Sequence, residues 1–214
     1  GAMPEVERAV AMVRRAHTPV RGRSERDRPY SAGQPALAAW VHNVLTDSFL
    51  EAYRTYGPEP LSTADADRFV EEQSRIGALL GADPLPSTAS ELSDWVTNHP
   101  DLAPTDDLAS AIEFLADPPL SLAVKAGYRP LFHAAAATLP ARLRDITGVT
   151  PGWRAAEIGR AATSSLRWAL GSSPSWHVSL VRAGAPVPDG LFRQPLPAEA
   201  ERLLADRESV TLEH

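Results

Sequence analysis

Apolar residues recur along most of the chain at intervals of three and four, the spacing that places them on one face of an α-helix. Pro4 suits a first helical turn, and Val6, Val10 and Val13 then share a stripe until Pro19 stops the segment. The pattern predicts a second helix from Pro35 to Tyr56, with Leu37, Trp40, Val41, Val44, Leu45 and Ala52 on one broad face and Gly57 and Pro58 ending it. Ser62 to Asp65 opens a third, which carries Phe69, Val70, Ile76, Leu79 and Leu80 to Gly81. Thr88 and Glu91 have the spacing of a capping box, opening a fourth helix that stops before Pro100. Thr105 caps a fifth through Leu115, broken by Pro118 and Pro119. Further helices are expected across Leu120 to Ala126, Pro130 to Ala137, Pro140 to Ile146 and Pro151 to Leu170. The fold class read from this pattern is all-α, a multi-helix bundle.

After Gly171 the texture changes. Residues 172 to 211 are rich in Pro, Gly and Ser and read as an irregular C-terminal arm on a helical domain of residues 4–171. Within the arm, Trp176 to Val181 is expected to be a short extended piece and Pro197 to Asp206 a terminal helix. With 214 residues and 43% hydrophobic content the chain can bury a real core. No apolar run approaches the roughly 20 residues needed to cross a bilayer, so no membrane span and a cytoplasmic location are expected.

Charge and composition narrow the chemistry. A formal net charge of −6 argues against a nucleic-acid surface, which needs clustered cations on phosphates. The absence of cysteine excludes disulfides, thiolate nucleophiles and cysteine-held metals, leaving histidine, carboxylate and hydroxyl chemistry. The basic stretch from Arg14 to Arg28, interrupted by Glu25 and Asp27, reads equally as a solvated loop or as the lining of a site.

Two helices carry candidate residues. At 100° per residue His17 falls on the stripe of Val6, Val10 and Val13 and is expected to face the core, with Arg14 one turn earlier and Arg21 just past the helix end. A core histidine bonded to a carbonyl and an axial haem ligand beside propionate-pairing arginines are both compatible with that placement. On the second helix Ser48 falls mid-stripe, with His42 on one margin and Glu51 on the other. Asp47 and Glu51, four apart, share a flank and would put a carboxylate at a cavity mouth, or simply in solvent. There is no phosphate loop, dinucleotide glycine fingerprint, nucleophile elbow or His-Glu-x-x-His motif.

The order Arg14-x-x-His17-x-x-Val20-Arg21-Gly22, Tyr30-Ser31-Ala32, Trp40-Val41-His42, Asp47-Ser48, Leu61-Ser62, Asp67 to Glu71 and Leu79-Leu80-Gly81 resembles the catalytic-domain family of the mycophenolic-pathway oxygenase and the latex clearing protein. The likeness continues through Leu85 to Thr88 and Glu91-Leu92, and more faintly through Leu139 to Arg144. It implies a helical domain around haem b, with His17 as the axial ligand, Arg14 and Arg21 as its flanking arginines, and His42 as a second histidine near the ligand. It also implies a preceding helix with distal Arg, Lys and Thr side chains, whereas only Pro4 to Val13 precede the Arg-x-x-His element. In a shortened family member, either a second protein subunit completes the pocket or the haem site has been lost.

Three readings follow for a small-molecule tailoring protein of bacterial specialised metabolism. One is a haem-dependent oxygenase assembled from two chains. Another is a haem-free enzyme catalysing elimination or ring closure, such as aziridine formation, with Asp47, Glu51, Glu71 or His42 as general base. The last is a non-catalytic partner subunit.

Overall fold

The computed structural model describes residues 3–171 and 174–185, with residues 198, 201, 202 and 205. Among the described residues there are nine helices and one two-stranded sheet, so the expected all-α class is found. Residues 9–162 form one compact unit, and residues 1–8 with 163–214 form a second.

The larger unit is built around α2 (Pro35–Tyr56), which packs on α3 (Thr63–Leu80) and α4 (Ala89–Thr97). Leu50 of α2 meets Ala66 and Val70 of α3 and Ala89, Leu92 and Val96 of α4 in one buried cluster. Local chemistry fixes the helix ends. Pro35 starts α2, the Ser62 hydroxyl accepts the Asp65 N–H at the start of α3, and Gly81 closes α3 in the left-handed conformation at φ 82°. The Thr88 hydroxyl accepts the Glu91 N–H, as the capping-box spacing predicts, and the Asp67 carboxylate takes the Ala89 N–H at 2.8 Å, tying α3 to the start of α4.

Around this core lie α5 (Asp106–Ala116), α6 (Leu122–Thr138), α7 (Ala141–Thr147) and α8 (Ala155–Leu170). The two helices expected on either side of Pro130 are one helix, α6, with Pro130 inside it. A proline forfeits one helical hydrogen bond, and the helix continues through it, with its buried residues, Ala134 and Ala136, on the C-terminal side. The Tyr56 hydroxyl donates to the Ala134 carbonyl at 2.7 Å, joining the end of α2 to α6. Gly159 of α8 permits close approach there, since a Cβ would lie 2.6 Å from the Ala134 Cβ and 2.9 Å from the Tyr56 ring.

Two expectations fail locally. The basic stretch after α1 (Met3–His17) is neither plain loop nor site lining throughout. It forms an antiparallel hairpin, β1 (Arg21–Arg23) with β2 (Pro29–Ser31), in register Gly22↔Tyr30. The expected extended piece at Trp176 to Val181 lies inside α9 (Pro174–Ala183), in the smaller unit. Pro174 supplies a helix start there, and Val178 and Val181 lie one turn apart, with Val181 buried. The expected terminal helix from Pro197 to Asp206 falls largely outside the described residues.

Candidate functional site

The face of α2 that is buried is not the face its apolar spacing picks out. The buried side carries Ala39, Asn43, Thr46, Asp47 and Leu50. The opposite side carries Val41, Leu45, Ser48, Phe49 and Ala52, all exposed, with Val41 at 52%, Leu45 at 51% and Phe49 at 64%. The helix is apolar around most of its circumference, so periodicity alone does not orient it. Packing does, because Asn43 Nδ2 donates to the Pro84 carbonyl at 3.2 Å and the Thr46 hydroxyl to the His42 carbonyl at 2.8 Å, which lets polar side chains occupy the core side. Ser48, expected mid-stripe in the core, stands in solvent.

His42 lies at the margin of that open face, half-buried against α3. Its ring rests on Gly77, where a Cβ would sit 2.8 Å from Cδ2 and 2.9 Å from Nε2. Burial lowers its pKa below the ordinary histidine value, against an opposing hydrogen bond to the Gln73 backbone. A neutral imidazole with one N–H held by a carbonyl presents its other nitrogen as an acceptor, which is the arrangement of a general base. Gly77→Ala is therefore expected to push the His42 ring out toward solvent, and because relief of burial outweighs loss of the Gln73 bond, its pKa should move up toward 6.5 in an NMR titration. The net stability cost is about 1 kcal/mol, the clash outweighing the gain in helix propensity.

Asp47 is the other perturbed group. It is 6% exposed, and its Oδ1 has no hydrogen-bond partner among the described residues. Burial, then the neighbouring Glu51 charge, push its pKa up to about 6, with Arg54 pulling the other way. Its side chain lies on the packed side of α2, and the described hollows are lined by other residues. Glu51 is half-buried and held by Arg54 at 2.6 Å. Arg54 in turn lines a polar hollow with Thr63, Asp67, Ser90, Ser93 and Asp94. Glu71 is exposed on α3 and paired with Arg75 at 2.7 Å. The four candidate bases thus occupy four different settings, and His42 borders the open apolar face beside Val41, Leu45 and Phe49.

The residues singled out for haem gather loosely around the end of α1. Arg14 Nη2 donates to the Leu79 carbonyl at 2.7 Å, anchoring α1 to the last turn of α3. His17, expected to face the core, is exposed at the C-terminus of α1. The stripe ends before it, since Val10 and Val13 are half-buried while the residues from Arg14 to His17 are exposed. Arg21 is exposed at the start of β1. An imidazole and two guanidiniums suit a haem and its propionates chemically. Among the described residues His17 is exposed and lines none of the described hollows. Among the described residues no group of three or more His, Asp or Glu side chains is arranged to hold a metal ion. No described helix is long and apolar enough to cross a membrane.

Periodicity overlooked Asn43 and Thr46, which are polar yet buried. It also overlooked His99, which packs on Trp40 and Trp95 at centroid distances of 4.8 and 4.7 Å. The one available signal was the spacing of Trp95 and His99, four apart at the end of α4.

No curated protein and no solved structure matches the chain. A family model does, over residues 1–170, and its description is "ER-bound oxygenase mpaB/B'/Rubber oxygenase, catalytic domain". The match takes in α1, the hairpin and α2 to α8, including Arg14, His17, Arg21 and His42. The chain therefore belongs to the mpaB/rubber oxygenase catalytic-domain family.

Proposed function

We propose that this chain is one subunit of a small-molecule tailoring enzyme of bacterial specialised metabolism, with its reaction site at the open face of α2 and His42 as general base. The observation that carries this reading is the two-sidedness of α2. Asn43 and Thr46 are buried with hydrogen bonds, while Val41, Leu45 and Phe49 form an exposed apolar stripe bordered by a neutral, oriented imidazole. Contiguous exposed apolar surface of this kind marks a place for a partner or an apolar ligand. A second protein chain laid over it would exclude water from His42 and complete a pocket for a hydrophobic substrate.

Co-expression with the product of the adjacent gene tests this directly. A stable complex is expected, and the double substitution Leu45→Asp with Phe49→Asp is expected to weaken it at least about tenfold, since a few central apolar anchors dominate such interfaces. The melting temperature of the isolated chain should not fall, because both side chains are already exposed. A chain that is monomeric and fully active alone overturns the two-chain reading.

A haem-dependent oxygenase is the second reading, favoured by the family and by the anchoring of Arg14 one turn before His17. When bound, haem supplies dioxygen activation. In this reading His17 is the residue that would hold the iron, with Arg14 and Arg21 toward the propionates, and the partner chain covers the exposed side. A Soret band that appears only in the complex and is lost in His17→Ala supports it. A colourless, active complex assigns the reaction to acid–base chemistry without haem.

A further inference from the structure

A hollow of about 390 Å³ opens in the larger unit between the hairpin, the first turns of α2 and the turn after α4, lined by Tyr30, Gln34, Leu37, Trp40, His99 and Asp101 among others. That volume suits a bicyclic ring, within the range of about 300–1,000 Å³ typical of small-molecule pockets.

Its aromatic walls are held in place. Trp40 and His99 pack on one another and on Trp95, with the two tryptophan centroids 5.8 Å apart. His99 Nδ1 accepts the Asp101 N–H at 3.3 Å, a tautomer that carries the ring proton on Nε2. Tyr30 lies flat over its cross-strand partner Gly22, where a Cβ would sit 2.7 Å from the Tyr30 hydroxyl. Only glycine leaves the tyrosine that low, and the low ring forms the third wall.

The polar groups at the mouth are nearly balanced. An adjoining hollow shares Tyr30 and Asp101 and adds Arg26, Arg28, Glu25 and Asp107. Asp101 Oδ1 takes Arg28 at 2.9 Å and lies 3.8 Å from Arg26. Glu25 accepts the Asp107 N–H. Of these charged groups only Asp101 lines the aromatic hollow itself, and its carboxylate is engaged by Arg28 and Arg26, so neither a positive nor a negative charge on a ligand meets an unpaired counter-charge there. Gln34 Oε1 accepts the Ser31 N–H, which leaves the amide NH2 to donate.

We propose that this hollow binds a neutral, planar aromatic group of bicyclic size that bears a hydroxyl or amide. The ring stacks on Trp40 between Tyr30 and His99, and the polar substituent meets Gln34 and Asp101. The assignment does not depend on the role of His42.

The test is a titration of the full chain with 2-naphthol, 2-naphthoate and 2-naphthylmethylammonium, followed at the tryptophan indole N–H signals. 2-Naphthol should give saturable shifts confined to Trp40 and Trp95, and each charged probe should bind at least about fivefold more weakly. Trp40→Leu should weaken 2-naphthol about tenfold, the loss of an aromatic stack. Gly22→Ala, on an exposed hairpin, should weaken it severalfold without disturbing the α2–α4 core. Phe49→Ser should leave binding unchanged. The proposal is overturned by the absence of saturable shifts, by equal affinity for all three probes, by insensitivity to both Trp40→Leu and Gly22→Ala, or by loss of binding in Phe49→Ser.

Discussion

Asp47→Asn is expected to stabilise the protein at pH 7.5 by up to about 3 kcal/mol, the largest effect of any single isosteric change in α2. The carboxyl is buried, its Oδ1 is unpartnered, and its pKa rises from an ordinary 3.8 to about 6 in the folded state. The folded protein therefore holds this proton more tightly than the unfolded chain. Below pH 3.8 the carboxyl is neutral in both states and costs nothing. As pH climbs from there to about 6 the unfolded chain ionises first, so stability is progressively lost, and above about 6 the full cost is present. Asparagine removes the charge at nearly constant volume, although its own amide needs a partner and takes back part of the gain.

Urea unfolding of both proteins from pH 4 to 7.5 checks this. The difference between them should be small at pH 4 and should grow to a plateau above pH 6. Taking the difference isolates Asp47 from His42, whose lowered pKa acts in the opposite sense by reducing stability as pH falls below 6.5. Parallel profiles for the two proteins would sink the assignment of a buried, destabilising carboxylate.

His42→Gln should lower kcat/KM of the assembled enzyme by about 10²-fold or more, the usual contribution of a positioned general base. Glutamine retains a hydrogen-bonding amide near Gln73 but cannot accept a proton. The wild-type rate should fall as pH drops through the His42 pKa, which lies below 6.5, and this acidic limb should vanish in the variant. Product formed in cells carrying each allele, followed by pH profiles of the purified complex, provides the measurement. A variant with full turnover and an unchanged acidic limb moves the base elsewhere. Glu71 and Glu51, paired with Arg75 and Arg54, are then less suitable than Asp47, whose Oδ1 has no hydrogen-bond partner among the described residues.

Several elements were legible from spacing and end signals alone. The run from Pro35 to Tyr56, the Ser62 and Thr88 caps, Gly81 and the Thr105 start all fall where the structure has them, because these signals act through bonds within a few residues. The order of Arg14, His17, Arg21, Trp40 and His42 was likewise enough to indicate the family that the chain proves to match. The hairpin was not legible, since its two three-residue strands are too short to show alternation, and β pairing of that length is decided by what lies beneath it.

The sequence by itself determined most of the helical segments of residues 4–170, where most of them stop, and which polar side chains are available for chemistry, though not the helix α9 or the continuity of α6 through Pro130. Only the tertiary structure decided which way each helix faces. On α2 it buried Asn43, Thr46 and Asp47 and exposed Val41, Leu45 and Phe49, and on α1 it left His17 in solvent. The physical reason is that helix formation is local, whereas orientation is a competition among faces for a limited packed surface. On a helix with apolar residues on more than one side, a buried tertiary hydrogen bond such as that of Asn43 to Pro84 helps to settle that competition, while the Thr46 bond back to His42 satisfies a hydroxyl that would otherwise be costly to bury.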